Sequence, residues 1–211
     1  MESQVRGGTR WKRFAVVMVP TVAATAAIGV ALSQGALAAS FSVSGQSFKV
    51  RAEKLVGYNF VQYGGVAKGV DSKGNEAVHP VAVSGFKTAD ITNMCQSVVT
   101  PLPWGSSVTL VLKAGNKGTD IKAENLYLDV ESLDADAEFK NIDIGVAAGS
   151  TKTPGIQPGT QADPNGFAQQ ADEAVLRDVK QTAWATTAGT FKLPDLNLRL
   201  NIGNPKKYEC Y

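Results

Sequence analysis

Residues 196–202 read LNLRLNI, and this stretch gives the clearest indication of the fold. Its apolar positions are Leu196, Leu198, Leu200 and Ile202. Apolar side chains at every second position are typical of a β-strand with one apolar face. The segments 107–113 (SVTLVLK) and 126–130 repeat the pattern. The spacing predicts an all-β domain of mostly antiparallel strands, arranged as an elongated sheet or as a sandwich.

Glycine and proline divide the remaining sequence into strands and loops. Further strands are predicted at residues 40–50, 79–84, 86–93 and 139–146, and turns at 115–118 and 204–207. Glycines make residues 57–74 rich in loops, and residues 149–166 carry three prolines that predict one long irregular segment. Residues 167–188 are ambiguous, and we expect a helix or turn at 169–174 followed by a strand.

A short motif, F-K-x-x-D-[IL], occurs at residues 86–91, 139–144 and 191–196. The spacing between its copies is irregular, so the motif does not mark a strict repeat period. It predicts either similar strands that lie side by side and change face through a bulge, or a chance recurrence.

The N-terminal region carries the signature of an export signal. Residues 14–39 are apolar and uncharged, and they follow the basic residues Arg6, Arg10, Lys12 and Arg13. The small-residue pattern at residues 36–38, Ala-Leu-Ala, favours a cleaved signal peptide. The apolar run is also long enough for an uncleaved membrane anchor helix. Either interpretation divides the chain into a leader, residues 1–39, and an exported β domain, residues 40–211, located outside the cell or at its surface.

The charge balance excludes one class of partner. The chain holds 21 Lys and Arg residues and 19 Asp and Glu residues. Four of the basic residues and one acidic residue belong to the leader, so the exported part carries about one net negative charge. A nucleic-acid-binding domain usually shows a strong basic patch, and we expect no nucleic-acid partner.

Cys95 and Cys210 are the two cysteines of the chain. In an exported protein an even pair predicts a disulfide bond, here one that ties the C-terminal end to the middle of the chain. Two free thiols are the alternative. A metal site lacks support because two cysteines and one histidine do not show ligand spacing.

Several segments resemble a known family. They are residues 11–38 (WKRFAVVMVPTVAATAAIGVALSQGALA), 39–50 (ASFSVSGQSFKV), 91–103 (ITNMCQSVVTPLP), 141–148 (NIDIGVAA), 166–172 (GFAQQAD) and 179–200 (VKQTAWATTAGTFKLPDLNLRL). These segments are similar to an exported family of Streptomyces-type actinobacteria that is catalogued as a domain of unknown function. Some of its members carry the label cholesterol esterase. The resemblance implies a compartment and a lineage, and no established activity.

The residues give little support to a catalytic site. The sequence has no G-x-S-x-G nucleophile elbow, and His79 is its one histidine. The densest acidic run is Asp129, Glu131, Asp134, Asp136 and Glu138. A solvated strand face explains this run better than weak calcium binding or glycosidase chemistry. No glycine loop of a phosphate-binding type occurs. We therefore predict no catalytic, cofactor-binding or metal-binding residue.

Three functions remain as hypotheses. The first is a non-enzymatic, secreted or membrane-anchored β protein that meets an envelope partner. The second is a binder or carrier of an apolar ligand, such as a lipid, in a groove of a one-sided sheet. The third is an esterase or lipase. A closed sandwich would favour the first hypothesis, and an open apolar trough would favour the second.

Overall fold

The computed structural model describes residues 45–70 and 74–211 as an antiparallel all-β structure. Its eight strands are β1 (Phe48–Val70), β2 (Glu76–Pro101), β3 (Ser107–Ala114), β4 (Ile121–Lys140), β5 (Asp143–Ala147), β6 (Phe167–Thr187), β7 (Thr190–Lys192) and β8 (Asn197–Ile202). Three single-turn 3₁₀ helices lie at Pro103–Gly105, Ala148–Ser150 and Pro205–Lys207. The prediction of an all-β, antiparallel domain is confirmed. The predicted N-terminal helix and the leader lie outside the described residues.

The four long strands close on one another. β1 pairs with β2 and β6, and β4 pairs with β6 and also with β2. Each of these strands therefore has a neighbour on both sides, and the pairs form a closed cycle. β3 and β8 extend the sheet from the outer part of β2, and β8 is its free edge. We call the pair formed by β3 and β8 the wing.

Residues with a left-handed backbone conformation let the long strands change direction. Asn59, Asn93, Asn125 and Asp178 lie within strands and have positive φ values of 52°, 51°, 49° and 51°. The pairing of β1 with β2 skips one residue on each strand at Asn59 and at Asn93. Asparagine and aspartate tolerate the left-handed region better than most residues. These positions shift which residues face inward, as bulges do, and help long strands to bend around a closed sheet.

The inner face of the cycle holds the larger apolar core. Side chains from all four long strands meet there, and the largest of them are Phe60, Phe86, Ile91, Leu126 and Leu176. The Phe60 ring lies 5.3 Å from the Phe86 ring and 5.2 Å from the Phe139 ring, measured between centroids. Gly57 leaves room for this packing, because a Cβ atom at that position would overlap the Phe86 ring.

A second core lies on the opposite face, beneath the long loop that follows β5. Val61, Tyr63 and Tyr127 belong to this cluster, with Ala148 and Ile156 of the loop packed on them. The Tyr127 hydroxyl donates to the carbonyl of Pro154 at 3.0 Å, and the Gln157 N–H donates to the Tyr63 hydroxyl at 2.8 Å. Burial raises the pKa of Tyr63 to about 12. The predicted irregular segment is therefore present, and it is fixed to the sheet by its own contacts.

Two local predictions are wrong. Residues 57–70 were expected to be loops, yet they continue β1 without a break. Residues 169–174 were expected to be a helix or turn, yet they belong to β6. Residues 57–63 pair with both β2 and β6, residues 64–70 pair with β2, and residues 169–174 pair with β1. This tertiary pairing outweighs local propensity.

The copies of the F-K-x-x-D motif share one feature. Phe86, Phe139 and Phe191 all pack on the inner core. The copies themselves lie in β2, across the β4–β5 junction, and across β7 and the segment that precedes β8. They do not pair with one another among the described residues, so the prediction of adjacent similar strands is wrong.

Candidate functional site

One face of the wing is apolar and open. It consists of Val108, Leu110 and Leu112 on β3, which pair with Ile202, Leu200 and Leu198 on β8, respectively. Leu198, Leu200 and Ile202 are exposed to 57 %, 70 % and 72 %. We call these six side chains the apolar wing face. A contiguous exposed apolar face of this kind is typical of an interaction surface.

The apolar wing face continues the inner core of the closed cycle. Leu112 and Phe48 are partly buried and pack on the core cluster. Val98 of β2 pairs with Leu110, which joins the wing to the long strands. Beyond β2 the described residues place no strand opposite the wing, so this part of the inner face stays open. The wing therefore presents an exposed apolar face that no second layer of the described residues covers.

The opposite face of the wing borders a polar groove of about 1000 Å³. Its charged lining residues are Arg51, Lys113, Lys117, Arg199, Lys207, Glu53, Asp178, Asp195 and Glu209. The Lys117 Nζ atom lies 3.6 Å from a carboxylate oxygen of Asp195. Cys95 of β2 pairs with Arg51 of β1 on one side and with Lys113 of β3 on the other. Both signs of charge are present in near balance, so the groove is not a selective site for one sign of charge.

The C-terminal tail forms one wall of this groove. Cys210 is bonded to Cys95 of β2, which confirms the predicted disulfide. The Cys210 N–H donates to Ser97 Oγ at 3.2 Å, and Glu209 pairs with Lys49 at 3.0 Å. The tail is therefore held on β1 and β2 by one covalent bond and by polar contacts. A disulfide of this kind is the bond expected of an oxidising compartment.

A third feature is an apolar cleft inside the closed cycle, with a volume of about 150 Å³. The second half of β4 forms its rim, and the core forms its floor. Its apolar lining residues are Leu55, Phe60, Phe86, Leu128, Leu133, Ala135, Ala137, Phe139 and Leu176. Three polar residues also line it: Gln62, Ser84 and Gln181. The Gln62 amide donates to Ser84 Oγ at 2.9 Å, so these two satisfy each other.

His79 and the acidic run do not form a catalytic arrangement in the described part of the chain. The His79 ring is stacked on Trp184, with centroids 3.5 Å apart and an interplanar angle of 12°. No hydrogen bond joins His79 to a serine or a carboxylate within residues 45–70 and 74–211. Asp134 and Asp136 are exposed and lie opposite Lys180 and Arg177 of β6.

Asp129 differs from the rest of the acidic run. It lies between the buried residues Leu128 and Val130, and it is only partly exposed. Desolvation by burial raises the pKa of its carboxyl group. No group of three or more His, Cys, Asp or Glu side chains within residues 45–70 and 74–211 is arranged to hold a metal ion.

Comparison with known proteins places the chain in a family. A family model described as a family of unknown function, DUF6230, matches residues 44–211. The chain belongs to this family. Neither a curated protein nor a solved structure matches this DUF6230 chain. Family membership agrees with the resemblance to a domain of unknown function, and it brings no activity with it.

Within residues 45–70 and 74–211, no helix has both the length and the hydropathy needed to span a bilayer. The apolar leader, residues 14–39, lies outside that range, and its role stays a prediction.

Sequence reasoning found part of this site and missed the rest. The alternation at residues 196–202 marks the apolar stripe of β8, and alternation at 107–113 marks its β3 partner. The sequence did not show that this stripe is exposed, because an apolar stripe usually faces a core. It also did not show the cleft, since Ala135, Ala137 and Gln181 come together only after β4 pairs with β6.

Proposed function

We propose that this DUF6230 chain is a non-enzymatic, exported β protein that rests on a lipid surface of the cell envelope through its apolar wing face. The observation that carries the proposal is the exposure of Leu198, Leu200 and Ile202, each more than half accessible on a free edge strand. The structure gives the wing an apolar side and a polar side, which is the arrangement of an interfacial element.

The energy available from this face is modest. Fully burying one Leu or Ile side chain contributes about 1.5–3 kcal/mol. Three side chains that are exposed to 57–72 % would together contribute about 3–6 kcal/mol on entering lipid. This resembles the marginal, reversible attachment given by a single acyl chain, and stable attachment needs a second contribution.

Two features of the chain supply such a contribution. Lys206 is exposed, lies four positions after the end of β8, and does not line the polar groove of the opposite face. Basic residues beside an apolar face favour anionic lipid headgroups by about 1 kcal/mol each near the surface. An uncleaved leader would add a tether, because only eight residues separate Ala39 from Phe48 and they reach at most about 30 Å.

The proposal is tested by hydrogen exchange on the protein recovered after export, with and without vesicles of phosphatidylcholine and phosphatidylglycerol. We expect the amides of residues 197–202 to exchange more slowly with vesicles, and those of residues 143–147 to be unchanged. A variant with Leu198→Ser, Leu200→Ser and Ile202→Ser should lose this protection. This readout reports on the wing itself, whether or not the leader remains attached.

A matched control variant carries Val78→Ser, Ile144→Ser and Phe167→Ser, which are exposed to 60 %, 66 % and 65 % and lie outside the wing. It should keep the protection of residues 197–202. Equal exchange of the wing with and without vesicles would refute the proposal. Loss of protection in the control variant would also refute it, because the effect would then be general rather than located at the wing.

A further inference from the structure

The apolar cleft contains an unusual polar side chain. Gln181 lines this cleft of about 150 Å³, and it also lines an adjoining apolar cavity of about 30 Å³. The residue is only 5 % exposed. On β6 it lies opposite Val50 of β1 and Leu133 of β4, so it projects into the interior of the closed cycle.

The Gln181 amide has no hydrogen-bond partner within residues 45–70 and 74–211. Thr109 Oγ1 is the one fully enclosed side-chain atom without a partner in that part of the chain, so the amide of Gln181 still meets open space. The cleft and the adjoining cavity supply that space. A nearly buried amide that faces apolar side chains can therefore be satisfied only by what enters the cleft, and such a group in a protein calls for an explanation.

The other polar side chains of the cleft do not compete for the same partner. Gln62 donates to Ser84 Oγ and accepts from the Gln169 amide at 2.6 Å. Gln181 alone therefore offers both a free carbonyl oxygen and a free N–H to whatever enters. A hydroxyl group matches this pair, because it donates one hydrogen bond and accepts others.

The cleft also limits the size of the occupant. An apolar cavity of about 150 Å³ is large enough to hold one benzene molecule. Ala135 and Ala137 leave the opening on the β4 side, where Ala137 is exposed to solvent. An occupant would enter there and lie against the packed rings of Phe60, Phe86 and Phe139.

From these observations we infer that the cleft is a binding site for a small apolar alcohol of about the size of benzyl alcohol, with its hydroxyl group held by Gln181. A few convergent polar groups in an otherwise apolar pocket are the usual composition of a small-molecule site. The site is separate from the apolar wing face and does not depend on it.

The test uses benzyl alcohol and ethylbenzene, which have nearly the same shape and differ by the hydroxyl group. Met94 lines the adjoining cavity beside Gln181, so its methyl resonance reports on binding in a titration followed by NMR. We expect a saturable shift with both compounds. Because ethylbenzene is the more hydrophobic of the two, the contribution of the amide is read from the ratio of their affinities, which one hydrogen bond of about 1.4 kcal/mol shifts about tenfold toward benzyl alcohol.

Two variants locate the effect. Gln181→Leu keeps the volume and removes the amide, so it should shift the affinity ratio about tenfold toward ethylbenzene. Ala135→Leu fills the cleft and should abolish the binding of both compounds, whereas Ala82→Leu, at an exposed position of β2, should change neither.

Three outcomes would overturn the inference. They are a titration without a saturable shift, binding that survives Ala135→Leu, and an affinity ratio of the two compounds that Gln181→Leu leaves unchanged. The first would mean that the cleft holds water only. None of them bears on the exchange of the wing amides, so this inference and the proposed function fail independently.

Discussion

Removal of the Cys95–Cys210 bond should strongly destabilise the protein. The bond joins residues 115 positions apart in sequence. In the chain-entropy model, closing a loop of this length stabilises the folded state by about 4.8 kcal/mol, because the unfolded chain loses conformational freedom. The whole free energy of unfolding of a domain is typically about 5–15 kcal/mol. The bond therefore accounts for a large share of the stability.

The contacts of the tail add little to this figure. The Lys49–Glu209 pair is partly exposed, with side-chain accessibilities of 34 % and 18 %, and such pairs contribute at most about 1 kcal/mol. The Cys210 N–H bond to Ser97 Oγ contributes a similar amount. A loss well above the sum of these contacts would therefore report on the covalent link itself.

The assay is urea unfolding of the wild-type protein and of a Cys95→Ala, Cys210→Ala variant. We expect the free energy of unfolding to fall by about 4–5 kcal/mol and the dependence on urea to steepen, since the unfolded variant is less compact. The wild type in reductant should behave like the variant. Ser97→Ala keeps the bond and should lose only about 1 kcal/mol. A loss below about 1 kcal/mol for the double variant would refute the entropic argument.

Three further changes test the packing and burial described above. Gly57→Ala should destabilise by about 1–3 kcal/mol in urea unfolding, because the added methyl group overlaps the Phe86 ring; unchanged stability would show that the ring can move aside. Thr109→Val should raise the melting temperature, since it removes a fully enclosed hydroxyl without a partner; a lower melting temperature would mean that this hydroxyl is satisfied. Asp129→Asn should stabilise the protein at neutral pH. Burial raises the pKa of Asp129, so its charged form is disfavoured above that pKa, and the gain should fade as the pH falls below the ordinary value of 3.8. An equal gain at pH 3 and pH 7, or none at either, would contradict this cause.

Local pattern predicted the strands whose two faces differ most. β3 and β8 alternate cleanly in sequence and were placed within one or two residues. The loop after β5 was marked by its prolines, which are poor strand formers. The disulfide followed from the number of cysteines and the expected compartment, without any knowledge of the distance between them.

The parts that were missed depend on contacts between distant residues. Residues 57–70 carry glycines that indicate loops, but Gly57 is needed where an aromatic ring from β2 crosses β1. The closure of the sheet depends on β4 pairing with two strands, which no local period encodes. The cleft depends in turn on that closure. Its polar residue, Gln181, is indistinguishable in sequence from a surface glutamine.

The link between Cys95 and Cys210 also determines how the molecule would respond to tension. A pull applied at Phe48 and at Tyr211 would travel along β1 and β2 and then cross the sulfur bridge directly. The chain between the two cysteines, which are 115 positions apart, would carry no load. At about 3.4 Å per extended residue, roughly 390 Å of chain would be kept from unravelling. The load would act on β1 and β2 at the end where Arg51 pairs with Cys95, whereas strands β3 to β8 all lie in the shielded part of the chain.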